Sequence, residues 1–175
     1  MYICLMKKNI LLLAISLVLM VGCGASRQTA AEKSAEQQQV AGVVDQRLND
    51  KNYRIDVNYM MPLRGGGKML SGSYSLEVNG EEVDSHLPYM GVAQNVPYGG
   101  GQGLDFKAEI SKYSDGGWKK GLRQIFFTTS NDEDTYEFNL SISDEGFAEI
   151  RVNCRNRDAI SFHGTMDTVE ADANQ

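Results

Sequence analysis

The fold is decided in residues 125–154, IFFTTSNDEDTYEFNLSISDEGFAEIRVNC. Ile125, Phe127 and Thr129 share one side of an extended segment, Tyr136, Phe138, Leu140 and Ile142 alternate with Glu137, Asn139 and Ser141, and Ala148, Ile150, Val152 and Cys154 alternate with Glu149, Arg151 and Asn153. A period of two is the signature of a strand with one face buried. The connection Ser143-Asp144-Glu145-Gly146 is too short for a crossover, so these strands pair antiparallel.

The same rhythm extends in both directions. Upstream, Tyr53, Ile55, Val57 and Tyr59 form one run, Tyr74, Leu76 and Val78 a second, and Leu104, Phe106, Ala108 and Ile110 another. Asn79-Gly80 between Val78 and Val83 predicts a type I′ hairpin in which Leu76 faces Val83. Downstream, Arg155-Asn156-Arg157-Asp158 leads to a last strand with Ile160, Phe162 and Met166. The expectation is an all-β domain of about eight antiparallel strands in a meander, which must close as a barrel or fold as a sandwich to bury its apolar face.

The amino terminus has a different grammar. Lys7 and Lys8 precede an apolar run over residues 10–21, the layout of an export signal, and about 12 residues is too short to span a bilayer. Leu19-Met20-Val21-Gly22-Cys23 resembles the lipobox of bacterial lipoproteins. Cleavage is expected between Gly22 and Cys23, after which the Cys23 thiol carries a diacylglyceryl group. Met6-Lys7-Lys8 is itself a well-formed signal start and points to initiation at Met6. The organisation read from this is a signal peptide over 1–22, a flexible Ala-, Gln- and Ser-rich tether over 23–39, a single β domain over 40–168, and a disordered tail over 169–175. Val40, Val43, Val44 and Leu48 recur at helical spacing, so the β domain should begin with a short amphipathic helix covering one end of the core.

Charge and cysteines narrow the classes. The net charge is −6, and it becomes −8 once Lys7 and Lys8 leave with the signal. Nucleic acid is not an expected partner, because phosphate binding needs clustered cations. The two basic stretches, Lys119-Lys120-Gly121-Leu122-Arg123 and residues 151–157, read as solvated strand and turn faces. Of three cysteines, Cys4 leaves with the signal and Cys23 is acylated. Cys154 therefore has no internal partner and is expected as a buried, inert thiol.

Motifs for chemistry are weak. Gly65-Gly66-Gly67-Lys68 lacks the first glycine and the final hydroxyl residue of a phosphate loop, and Tyr98-Gly99-Gly100-Gly101-Gln102-Gly103 precedes a strand instead of a helix. Asp132-Glu133-Asp134 reads as a solvated turn in preference to a calcium loop. His86 and His163 belong to no catalytic or zinc pattern, and neither a cofactor nor a metal is expected. The stretch Leu87-Pro88-Tyr89-Met90-Gly91, with Pro97-Tyr98 and the glycines after it, is a long aromatic loop of the kind that carries function.

Four motifs in order, Met61-Pro62-Leu63-Arg64-Gly65, Leu87-Pro88-Tyr89-Met90-Gly91, Pro97-Tyr98-Gly99-Gly100-Gly101 and Asp134-Thr135-Tyr136-Glu137-Phe138, resemble the pattern of the domain of unknown function 4251 (DUF4251) family of Bacteroides-type bacteria, over roughly residues 48–166. The resemblance implies a cell-envelope lipoprotein and brings no activity or catalytic residues. In that group surface-destined lipoproteins carry acids behind the modified cysteine. Gly24-Ala25-Ser26-Arg27-Gln28 has none, which implies the periplasm-facing leaflet of the outer membrane. The leading expectation is a non-enzymatic module, tethered to the membrane through Cys23, that binds an envelope ligand or partner protein through Arg64, Tyr89 and Tyr98. A structural envelope protein is the second reading. A hydrolase is third and would need two carboxyl groups facing each other across a cleft, with Glu81 and Glu82 an example of an acidic pair.

Overall fold

The computed structural model describes residues 30–94 and 103–168. In them a helix, α1 (Ala30–Asn49), is followed by β1 (Asn52–Pro62), β2 (Lys68–Asn79), β3 (Glu82–Leu87), β4 (Leu104–Lys119), β5 (Leu122–Ser130), β6 (Thr135–Ser143), β7 (Phe147–Cys154) and β8 (Ile160–Met166). Each strand pairs antiparallel with its successor, and β8 returns to pair with β1. Of barrel and sandwich, the chain forms a closed up-and-down barrel, which leaves no sheet edge open to another chain.

The alternation seen in the sequence becomes the inside and outside of that barrel. Ile125, Phe127, Phe138, Leu140, Ile150, Val152 and Phe162 are buried, as are Ile55, Leu76, Val78, Val83 and Leu104. Stacked rings fill the middle, Phe106 on Tyr136 at 4.5 Å and Phe127 on Phe138 at 4.8 Å between centroids. Eight strands enclose a space about wide enough for side chains alone. Burying each such side chain contributes about 1.5–3 kcal/mol.

Three expectations are corrected here. The helix begins at Ala30, so much of the stretch read as tether is helical; Ala, Glu, Lys and Gln favour helix without forming an apolar stripe. Val44 and Leu48 are buried and Val40 packs beside them, in one cluster with the barrel core. The β2–β3 hairpin is present, but Asn79 pairs with Glu82 and Leu76 faces Ser85. Gly80 alone takes positive φ, at 63°, which makes Gly80-Glu81 the turn and fits a glycine-first type II′ geometry. Two anchors hold that register: Gly80 N–H donates to Lys51 O at 2.8 Å, and Ile110 N–H to Glu81 O at 2.7 Å.

The third correction is Arg123, which is buried and not part of a solvated face. On β5 it alternates inward while Leu122 turns out. Its Nε donates to Asp115 Oδ2 at 3.0 Å, Nη1 to Asp45 Oδ1 at 2.7 Å and Nη2 to Asn49 Oδ1 at 2.6 Å. A bulge on β4 between Asp115 and Trp118 sets up this contact, with Gly117 at φ 66° and its N–H bonded to Asp115 Oδ1 at 2.8 Å. Trp118 Nε1 donates to Asp45 at 2.8 Å. The β4–β5 hairpin is thereby latched to α1.

A second bulge lies between Val57 and Tyr59, opposite Gly164 and His163. There the backbones approach so closely that a Cβ on Gly164 would run into the Asp56 carbonyl, the usual reason for a glycine inside a strand. Gly164→Ala should therefore cost about 2 kcal/mol by overpacking, read as a lower urea midpoint with unchanged slope. A midpoint equal to wild type would mean that the β1–β8 seam gives way freely.

Because successive strands reverse direction, loops alternate between two ends. The β2–β3, β4–β5 and β6–β7 turns share one end with the C-terminal turn of α1, here the helix end. The β1–β2, β3–β4, β5–β6 and β7–β8 connections share the other, the loop end.

Candidate functional site

At the loop end the segment after β3 is stitched to the β7–β8 connection. Ala93 bridges Arg157, Gln94 N–H donates to Asn156 O at 2.8 Å, and Asp158 N–H donates to Val92 O at 3.0 Å. The Tyr89 hydroxyl lies 3.2 Å from the carbonyls of Val92 and of Asp158, and can donate to either. Two glycines make room for this ring. A Cβ on Gly91 would strike the Tyr89 hydroxyl, and one on Gly103, at φ 71°, would crowd the Tyr89 Cβ at 3.1 Å. Burial pushes the Tyr89 phenol above its ordinary value, with Cys154 and Asp158 adding to it.

Beneath Tyr89 sits a buried ionic cluster. Arg157 is 5% exposed, its guanidinium carbon is 5.7 Å from the Tyr89 ring centre, and its Nη2 is paired with Glu133. Its Nε makes no hydrogen bond and lies 3.8 Å from Asp134 Oδ2. Burial works against the Arg157 charge, but the bond to Glu133 and the surrounding acids outweigh it and raise the guanidinium pKa. Asp134 is fully buried and accepts from the N–H groups of Thr135 at 2.8 Å, Arg155 at 3.1 Å and Asn156 at 3.1 Å, and from Asn156 Nδ2 at 3.3 Å. Of residues 132–134, read as a solvated turn, Asp132 is exposed as expected, while Glu133 is half-buried and Asp134 turns inward. Asn131 Oδ1 accepts from Glu133 and Asp134 N–H at 2.9 and 3.0 Å, a local Asx turn that aims Asp134 inward.

Beside this cluster opens a cleft of about 490 Å³, lined by Tyr74, His86, Tyr89, Asp105 and Arg157 among others. Tyr74 stacks on His86 at 5.6 Å, and His86 Nδ1 is 3.0 Å from Asp105 Oδ1 across the β3–β4 pair. Aromatic and polar side chains share its walls. Of the sequence-derived candidates, Arg64 is 75% exposed in the β1–β2 loop, 3.9 Å from Asp158. Arg64 and Tyr89 thus meet at Asp158. Tyr98, like Gly22 and Cys23, lies outside the described residues. Glu81 and Glu82 are exposed at the helix end, and Asp105 is the one carboxylate among the residues found to line the cleft. Among the described residues no group of three or more His, Cys, Asp or Glu side chains is placed to hold a metal. The sequence sets Asp134 and His86 aside and marks Tyr74 only as a strand residue, and Arg157, expected on a solvated face with residues 151–157, is instead buried to 5% side-chain exposure by Glu133 and Asp134; the signal available was that alternate loops of a meander share an end.

Cys154, opposite Tyr136 on β6, is half-buried, and burial followed by the Asp134 charge pushes its thiol up to about 12. The thiolate is the reactive form, so in a Cys4→Ser/Cys23→Ser chain iodoacetamide at about pH 8 should leave Cys154 unmodified until urea is added. Rapid labelling of the folded chain would show an open thiol.

The model of the family described as a domain of unknown function (DUF4251) matches residues 33–166. The chain belongs to this family. A crystal structure of a DUF4251 family protein from Bacteroides eggerthii DSM 20697 is similar with a TM-score of 0.55 and 16% identity, over 76% of this chain and 89% of that one; at that identity the likeness is one of fold. No curated protein matches. Seen on the barrel, the segments that carry the resemblance have structural work. Met61-Pro62-Leu63-Arg64-Gly65 ends β1 and enters the loop end, Leu87-Pro88-Tyr89-Met90-Gly91 builds the Tyr89 strut, and Asp134-Thr135-Tyr136-Glu137-Phe138 holds the β7–β8 connection. Pro97-Tyr98-Gly99-Gly100-Gly101 lies outside the described residues.

Proposed function

We propose that this DUF4251 protein is a lipid-anchored, non-enzymatic module of the periplasm-facing outer-membrane leaflet that binds an envelope ligand or partner protein through its loop end. The anchor is Cys23, acylated after cleavage behind Gly22, and the binding region comprises Arg64, Tyr89 and, by its sequence context, Tyr98. One observation supports the reading above others. Arg64 and Tyr89 converge on Asp158 beside an open cleft, and the same end exposes Leu63, Met69, Met90 and Val92. Arginine, methionine and clustered exposed apolar residues are enriched where proteins meet partners.

Crosslinking pull-down from intact envelopes tests this. Arg64→Glu and Val92→Asp sit on exposed side chains, so both variants should fold and both should lose the crosslinked species that the parent captures. Retention of the same species in both variants would sink the loop-end assignment. Degradation of the domain by protease added to intact cells would overturn the periplasmic placement.

A further inference from the structure

We infer that the loop-end cleft takes a neutral sugar residue of an envelope glycan. Arg157 donates to it from the floor, the His86–Asp105 pair bonds its hydroxyl groups at the rim, and Tyr74, Pro88 and Tyr89 face the C–H surfaces of the ring. The inference rests on the loop-end reading above and names the ligand class for it.

The floor of the cleft is a donor without an acceptor. The Arg157 side chain is 5% exposed and its Nη2 is paired with Glu133, while Nη1 bonds no described residue. Nη1 lies 3.9 Å from where a Gly103 Cβ would stand, and Gly103 and Arg157 both line the cleft. Polar groups this buried are nearly always hydrogen-bonded, so an N–H that faces a cleft and finds no acceptor in the chain marks the place of one from outside. The Glu133 pair and the Tyr89 ring, 5.7 Å from the guanidinium carbon, fix its direction. Little freedom is then lost when a ligand bond forms.

Charge decides what kind of acceptor belongs there. Around the cleft Glu133, Asp134, Asp158 and Asp105 outnumber Arg157 and Arg64. A carboxylate or phosphate would add to that negative excess, and a cation would meet Arg157 at the floor. A neutral hydroxyl or amide carbonyl meets neither penalty. The rim is ready for hydroxyl groups as well. His86 Nδ1 and Asp105 Oδ1 hold each other at 3.0 Å, which leaves His86 Nε2 and Asp105 Oδ2 without a partner among the described residues. A ring nitrogen and a carboxylate oxygen side by side can bond two adjacent hydroxyl groups. Tyr74 stacks on His86 at 5.6 Å, and Pro88 and Tyr89 continue the lining. A pyranose alternates hydroxyl edges with C–H faces and so matches both parts of this wall. A peptide backbone carries no adjacent pair of hydroxyl groups.

The lipidated full chain, in a detergent without a sugar headgroup, is titrated by ligand-observed NMR with N,N′-diacetylchitobiose, cellobiose and mannobiose, and with acetyl-tetraproline amide as a neutral peptide. At least one disaccharide should bind saturably and should move the Arg157 guanidinium resonance of an arginine-labelled chain. His86→Ala and Asp105→Ala replace exposed side chains, so both should keep the urea midpoint of wild type while weakening that disaccharide about tenfold, the effect of about one hydrogen bond. Absence of saturable binding by all three disaccharides overturns the inference. So does binding that is equal in both variants or that leaves the Arg157 resonance in place, since the sugar then sits elsewhere. Preference for the proline peptide over every disaccharide makes the cleft a peptide site and overturns it too. If the disaccharides fail while Arg64→Glu still loses its crosslinked species, the loop-end reading stands without a sugar. If a disaccharide binds as expected while Arg64→Glu and Val92→Asp retain that species, the sugar site stands and the partner surface of the loop-end reading falls.

Discussion

Asp134→Ala is expected to destabilise the barrel by about 3–5 kcal/mol, the cost of breaking a buried charge network from one side. Three backbone N–H groups and the Asn156 amide lose their acceptor together, and each unsatisfied buried donor costs about 1–3 kcal/mol. Arg157, 5% exposed, also loses one of its two carboxylates. Equilibrium urea unfolding should show the lower midpoint, and amide exchange should accelerate at Arg155 and Asn156 ahead of the strand interiors. Asp134→Asn keeps an acceptor oxygen and should recover part of the loss. Near-wild-type stability of the alanine variant would mean that the β7–β8 connection is held by its backbone pairing alone.

Arg123→Ala should cost about 2–3 kcal/mol, less than a fully buried pair because Asp45 and Asp115 retain solvent that screens them. Its particular mark is that α1 loosens from the β4–β5 hairpin, so limited proteolysis should cut within residues 37–49 before the barrel opens. The same latch gives acid sensitivity. Its hydrogen bond to Arg123 holds the Asp115 carboxyl below its ordinary value. A depressed folded pKa means stability that is fully present above the unfolded value, near pH 4, and that is lost as pH falls below it. Wild type should thus lose stability more steeply below about pH 4 than Asp115→Asn. Parallel acid limbs for the two proteins would remove Asp115 from the account.

Most strands were legible because the barrel is apolar inside and wet outside, so a period of two survives in them; it is lost over residues 68–73 of β2 and 111–119 of β4, which are largely exposed and were not read as strand. Polar residues broke the reading where they were buried. Arg123 follows two lysines and a glycine, and Asp134 closes an acidic triplet; both look solvated until their partners, at Asp45 and Asn156, are brought across the barrel. The β2–β3 register slipped for a related reason. Asn79-Gly80 is a strong local turn pair, yet contacts from Lys51 and Ile110 to the turn backbone place the turn at Gly80-Glu81 instead. The candidate site was half legible. Arg64 and Tyr89 stood out by loop character, while Arg157 and the Tyr74–His86–Asp105 wall carry no motif and exist only through strand pairing.

By itself the sequence determined the strand rhythm, the all-β class and the meander, since side-chain alternation and short turns are local properties. Closure of the meander into a barrel, the choice of which polar groups go inside, and the meeting of four separate loops at one end were decided only by tertiary structure. Those outcomes depend on the pairing of β8 with β1 and on charges far apart in the chain, as in Asp45 with Arg123, 78 positions away. Contacts at that range leave no periodic trace along the chain.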